Sequence, residues 1–223
     1  SVMALASNLE LIQVPDPNQA GVEYLTAEFH GINIRIVNGQ GSTASANGLG
    51  NLTVGYNETD ANAAEVCSDG AQETQPNCVN FGGSWARNHR SGSHNLIVGS
   101  GNAYSQYGGL LAGNRNAVTR AYATVSGGRD NLARGENAIV AGGNSNTASS
   151  RYTTVAGGGY NRAIVIGASV AGGYTNSSAA NYANVSGGFG NTATGNYATV
   201  GGGRERSASG DYDWRAGTLF ENQ

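Results

Sequence analysis

The chain has 223 residues, of which 36 are glycine and 3 proline, with 12% charged residues and a net charge of -3 at pH 7. Glycine without proline or a strict three-residue period excludes collagen, and recurring Val, Ile, Ala and Tyr exclude a merely disordered chain. The balance of charge excludes a general nucleic-acid binder, and no apolar run is long enough to span a membrane.

The charge is unevenly placed. Residues 1–80 hold nine acids against Arg35, giving -8, and residues 81–223 hold eleven arginines against six acids, giving +5. The ends of an elongated molecule built this way attract head to tail, in a salt-sensitive manner. Two differently built segments that simply differ in composition give the same numbers. The sequence opens at Ser1 without a basic-then-apolar leader. It reads as a processed or trimmed product, from which a signal peptide would already be gone.

In chain order, residues 1–48 read as a segment of strands suited to assembly. "LELIQVPDPNQ" is a strand broken by a proline-containing turn, and "GVEYLTAEFHGINIRIVNGQG" alternates well enough for two strands. The stretch "SVMALASNLELIQV" is a spare strand that could pair with a neighbouring chain. Residues 49–106 hold irregular first coils, with Val54 in "GLGNLTVGYNET" and Val98 in "HNLIVGSGNAYSQ" as interior residues. An insertion over 58–93 separates them. It carries Cys67 and Cys78 in a polar, acidic loop, and a disulfide is the simplest reading, implying an oxidising compartment. With His89 and His94 the cysteines give C-x10-C-x10-H-x4-H, which lacks the tight Cys-x2-4-Cys knuckle of a zinc site. No metal or cofactor is expected.

Residues 107–210 repeat. Val125, Val140, Val155, Val170, Val185 and Val200 lie 15 apart, and a Gly-Gly pair follows each at the same offset. Asn131, Asn146, Asn161, Asn176 and Asn191 fall six after the valines, and small residues, mostly Ala, two further on. Three before the valines the column reads Tyr122, Asn137, Tyr152, Gly167, Tyr182, Tyr197. A fixed short period means a solenoid. Fifteen residues suit one narrow coil of two short strands and two turns, so the expected fold is all-β, a parallel β-roll. Alternation turns Ala123 and Val125 inward and Tyr122 and Thr124 outward. The asparagines can stack as a turn ladder. Val and Ala alone bury little area against so much glycine entropy. Several rolls packed side by side, with Tyr, Thr and Ser columns at the contact, is the economical solution. Residues 211–223, "DYDWRAGTLFENQ" within them, read as a cap, with Arg215 where a valine would be.

"ATVSGGRDNLARG" and "YANVSGGFGNTATG" resemble the head repeats of trimeric autotransporter adhesins of the YadA type. The resemblance covers roughly residues 94–210. It implies a left-handed roll, three-fold packing and a place on a bacterial surface. Its front portion is similar to uncharacterised bacterial secreted or surface proteins with such repeats. The sequence departs from that family in having Gly-Gly where one glycine is usual, and in showing no neck, heptad stalk or membrane barrel.

Other chemistry fares poorly. The glycines of "GLGNLTVG" and "GGGYNRAIVIG" lack the helix and Lys of a phosphate loop. The place after Gly-Gly reads Arg129, Asn144, Gly159, Tyr174, Phe189, Arg204, without the aspartates of a calcium roll. Asp130, Glu136, Asp211 and Asp213 read as isolated surface acids rather than a glycosidase pair. The expectation is therefore a non-enzymatic, secreted or bacterial-surface protein, a fibre subunit or adhesin head that associates with itself. Tyr122, Tyr152, Tyr182 and Tyr197 are candidates for a contact with a subunit, a host or matrix protein, or a glycan. The alternative is a carbohydrate-binding or carbohydrate-active solenoid.

Overall fold

The computed structural model describes residues 8–15, 17–19 and 21–217 and divides the chain into two compact units, Ser1–Arg35 and Ile36–Gln223. In the first unit, Leu9–Pro15 pairs antiparallel with Glu23–Phe29, from Leu9 opposite Phe29 to Pro15 opposite Glu23. The strand read as spare for a neighbour is thus already paired within its own chain over Leu9–Pro15, and residues 1–7 lie outside the described part. The second strand expected from "GINIRIV" does not form: residues 32–38 carry no strand.

The second unit is a parallel β-solenoid. A ten-stranded sheet runs from Leu52–Val54 to Trp214–Arg215, and an eight-stranded sheet from Ala103–Tyr104 to Ser207–Ala208. Most rungs are two residues long and exactly one coil apart, as in Thr124–Val125 on Ile139–Val140 and Leu132–Ala133 on Thr147–Ala148. A coil has a third rung that the two-strand reading lacked. Single-residue bridges link Asn114, Arg129, Asn144, Gly159, Tyr174, Phe189 and Arg204 in turn. The place after the glycine pair, which resembles a loop in sequence, is a narrow third side.

The interior is thin and regular. Val125, Val140, Val155, Val185 and Val200 are wholly buried and Val170 almost so, beside Ala123, Ala133, Ala148 and their equivalents. The register drifts upstream. Leu111 pairs with Ile97, and Ile97 with Thr53. Ile97 therefore fills the core, while Val98 and Val54, the expected interior residues, point outward. Each slip of one residue in a strand exchanges its faces: an inward Val98 needs a 13-residue step to Leu111, and the pairing sets 14.

The asparagines hold successive coils in register. The backbone N–H of Asn131, Asn146, Asn161, Asn176 and Asn191 each donates to the side-chain oxygen of the asparagine one coil earlier at 2.9–3.0 Å. Each side-chain amide donates in turn to two carbonyls. For Asn146 these are Gly142 and Gly158, both at 2.9 Å. The ladder extends upstream to Asn116, Asn102 and Asn57 and downstream to the N–H of Arg206. The side chains are buried, so unmade bonds here cost the full desolvation of an amide.

The second glycine of each pair is fixed by the same packing. Gly158 has φ +81°, and a Cβ there would stand 2.1 Å from the carbonyl oxygen of Gly173. The first glycine is different. A Cβ on Gly127, Gly142, Gly157 or Gly172 meets no atom within 4 Å, and none of the four has a φ in the left-handed region.

Two further corners take left-handed φ on ordinary residues, among them Tyr152 (61°), Tyr160 (56°), Tyr182 (55°) and Tyr197 (59°). This conformation turns the N–H back toward the preceding coil, as from Tyr152 to Glu136 and from Tyr160 to Asn144. Strand N–H groups donate forward instead, as from Thr124 to Ala138. The reversal is the physical reason for the Asn, Asp and Gly at these corners, which accept positive φ most easily.

Gly158→Ala should lower stability by about 2–4 kcal/mol, through strain and overpacking together. Gly157→Ala should leave the dissociated chain unchanged or stabilise it by a few tenths of a kcal/mol. Urea unfolding followed by circular dichroism checks the contrast, and equal losses would contradict the roles given to the two glycines.

Candidate interaction surface

Over the regular coils, the outward residues of the ten-stranded sheet are mostly small. One column reads Thr124, Ile139, Thr154, Ser169, Asn184, Thr199, and the column past the valines reads Ser126, Ala141, Ala156, Ala171, Ser186. Beside them runs the column of first glycines. The result is a flat face with short side chains along successive coils.

The tyrosine corner borders this face. Tyr182, Tyr197 and Tyr212 stack along the coils, with ring centroids 5.4 and 5.1 Å apart and planes within 8° and 4° of parallel. Tyr122 meets Tyr107 edge-on at 5.4 Å, and Arg151 stands 6.0 Å from the Tyr152 ring centroid. The four candidate tyrosines thus share a column without forming one patch, because Asn137 and Gly167 interrupt it. Part of the ring's work lies inside the chain. The Tyr182 ring covers the preceding coil so closely that a Cβ on Gly167 would stand 2.4 Å from it. The rings nevertheless remain about half exposed, 53% for Tyr182 and 49% for Tyr197.

A second aromatic rank occupies the third side and its corner. Tyr160 meets Tyr174 at 5.3 Å, Tyr174 stacks on Phe189 at 5.9 Å, and the Arg204 guanidinium lies 5.4 Å from the Phe189 centroid. Sequence columns hid this rank because Tyr160 and Tyr174 stand 14 apart, one place out of register.

The acids have partners along the coils. Asp130 takes a two-pronged contact from Arg115 at 2.7 Å, and Glu136 lies 2.9 Å from Arg151. Asp211 accepts from the backbone and side chain of Asn196, and Asp213 faces Arg215 at 3.2 Å.

The insertion folds against the first coils. Cys67 and Cys78 are buried and joined in a disulfide. This bond ties the strand Glu65–Cys67, paired antiparallel with Trp85–Arg87, to the short helix Gln75–Asn80. Gly83 must be glycine, since a Cβ there would lie 2.7 and 2.8 Å from the two sulfurs. Val66 packs on Ala103, Ala117 and Leu132, the outward column of the eight-stranded sheet. Ser105, Gln106 and Arg120 donate to the carbonyls of Cys67, Asp69 and Ala71 at 2.7–2.8 Å. Asp60 stands 3.5 Å from Arg115. The backbone N–H of Asn62, and then Arg115, hold its carboxyl below the ordinary carboxylate value.

The histidines are not gathered with the sulfurs. His94 accepts from the backbone N–H of Asn38 through Nε2 and contacts the Thr43 carbonyl through Nδ1, both at 3.2 Å. His89 has a buried Nε2 without a partner. Among the described residues no group of three or more His, Cys, Asp or Glu could hold a metal ion.

Replacing both cysteines by serine should free the insertion while the coils beyond Leu132 persist, with a loss of about 2–3 kcal/mol for a closed loop of this length. Limited proteolysis should then cut within 58–93 first, and loss of the whole β signal instead would contradict a separately tied insertion. Asp60 adds a pH term. Its lowered value contributes stability above about pH 3.9, the ordinary aspartate value, which is lost as pH falls through its folded value below that. Protection of the insertion should therefore hold at neutral pH and weaken only in stronger acid.

No protein-family model matches the sequence, and no curated protein is similar to it.

Proposed function

We propose that the protein is an extracellular structural or adhesive component, a β-roll that packs side by side with copies of itself. The observation that carries this reading is the column of first glycines. Gly127, Gly142, Gly157 and Gly172 meet nothing in their own chain that demands glycine. A surface kept flat without an internal reason fits a second body packed close against it, and a copy of the same roll offers the same coil spacing. The neighbouring Ala, Ser and Thr columns extend that flat area, and the half-exposed tyrosines would be covered at its border. Left-handed φ on tyrosine is strained, and such outliers are grounds for a functional hypothesis. Three-fold packing follows the resemblance to YadA-type heads. The disulfide fits an oxidising compartment.

A second reading, glycan or matrix binding by the aromatic ranks, is favoured by the parallel stack of Tyr182, Tyr197 and Tyr212. Exposed rings at fixed spacing suit stacking against sugar rings.

Light scattering coupled to size exclusion tests the first reading. The wild type should run at a multiple of 22.7 kDa. The double variant Gly142→Leu, Gly157→Leu should run at the monomer mass with an unchanged β spectrum. A wild-type chain that is monomeric at micromolar concentration and neutral pH would sink self-packing.

A further inference from the structure

On the eight-stranded sheet the repeat is broken in a way that makes a trough. Leu132, Thr147 and Arg162 lie on successive rungs of one outward column. Two residues further along each coil stand Arg134, Ser149 and Ile164. In both columns a small residue sits between two long ones. Thr147 and Ser149 therefore floor a trough one coil wide, between flanking coils about 10 Å apart at twice the strand spacing. Glu73, from the insertion, stands at its side, and the trough, open to solvent, holds about 340 Å³. That is more than a bare anion needs and lies at the low end of small-ligand sites.

The charges here are unbalanced. The trough and the hollow adjoining it are lined by Arg120, Arg134, Arg151 and Arg162 against Glu73 and Glu136, four cations minus two anions, or +2. Glu136 is engaged by Arg151 at 2.9 Å. Among the described residues neither Arg134 nor Arg162 has an ion pair. Burial pulls Arg134 below the ordinary arginine value, Glu73 opposes that fall, and Arg162 adds to it. A partly desolvated guanidinium is thus held near a second cation, with Glu73 opposing both effects. An arriving oxyanion offsets the cost of desolvation by pairing with the guanidinium and neutralises the repulsion between the two cations. Arginine's planar fork matches the paired oxygens of a carboxylate or sulfate. The Thr147 and Ser149 hydroxyls suit sugar hydroxyls, and Leu132 and Ile164 at opposite corners suit the C–H faces of a sugar ring.

We propose that the trough bounded by Arg134, Arg162 and Glu73 binds one acidic saccharide unit through its carboxylate or sulfate group. The site stands apart from the self-packing proposed above, because the trough is on the other sheet.

The test is calorimetric titration of the full chain at low salt with three probes of equal length. These are a heparin hexasaccharide, which carries sulfate and carboxylate, an oligogalacturonate, which carries carboxylate alone, and neutral maltohexaose. At least one acidic probe should bind, and maltohexaose should not. Heparin binding without oligogalacturonate binding assigns the sulfate, and binding of both assigns the carboxylate as sufficient. The double variant Arg134→Gln, Arg162→Gln should weaken binding by about tenfold or more. Ser149→Trp, which fills the trough and leaves every charge in place, should weaken it likewise. Arg129→Gln, on the third side and outside both aromatic ranks, should bind as the wild type, and added salt should weaken binding throughout. Failure of both acidic probes would overturn the proposal. So would wild-type affinity in either trough variant with an unchanged β spectrum, or an equal loss in Arg129→Gln, which would mean net charge alone.

Discussion

The asparagine ladder is the constraint on which the rest of the solenoid depends. One carboxamide per coil accepts the backbone N–H of the next asparagine and donates to two glycine carbonyls, one in its own coil and one in the coil above. Those three bonds fix the rise and the angular position of each coil. The second glycine follows from them, since the carbonyl oxygen of the next coil occupies the place where a Cβ would be. The valines and alanines then need only fill a space whose shape is already set. A thin interior with little apolar area is sufficient because buried amides supply register as well as stability.

That division explains what could be read from sequence. Strict columns have a strict cause, so Val125 to Val200, Asn131 to Asn191 and the glycine pairs were legible from spacing alone. The start of the solenoid was not. Between Ile97 and Leu111 the step is 14, and one residue of slip moves Val98 and Val54 outside. A valine in either register satisfies the local alternation, and only pairing with the next coil decides between them. The third rung was hidden for a related reason. Its residues, from Arg129 through Gly159 to Phe189, contribute backbone bridges, so their side chains are free to differ and leave no column to find. In the first unit Leu9–Pro15 has its partner 14 residues on, at Glu23–Phe29. An apolar alternation can propose such a strand without saying which chain it pairs with.

The charge asymmetry along the sequence has a use inside the chain. Acids of the first 80 residues reach the basic coils through the insertion: Asp60 stands against Arg115, and Glu73 opposes the desolvation of Arg134. The two halves of opposite sign thus meet within the second unit, which weakens composition as an argument for head-to-tail fibres. The neutralisation stops part-way. Val66 covers Ala103, Ala117 and part of Leu132, and beyond that cover the same column continues into Thr147 and Arg162. The insertion's edge is where the cations of the coils come to lie beside a single carboxylate from outside the repeat.

A solenoid also separates its roles by side. Every outward column is repeated, so a property placed on one coil is cheaply copied to the next, and departures from the copy carry information. From Gly127 to Gly172 the glycine column is uniform where the chain's own packing would allow any small side chain, which speaks for one extended contact. The columns of the eight-stranded sheet vary from coil to coil, with Leu, Thr and Arg in one and Arg, Ser and Ile in the other, which speaks for a local feature. The tyrosine corner lies between these cases. Its strained φ recurs in every coil because the reversed N–H requires it, yet Asn137 and Gly167 meet that requirement more easily than tyrosine does. The rings at Tyr182, Tyr197 and Tyr212 therefore answer to something other than backbone geometry. Stacking between coils accounts for part of it, at about 0.5–1.5 kcal/mol per pair. The exposed part of each ring is available to whatever lies against the flat face.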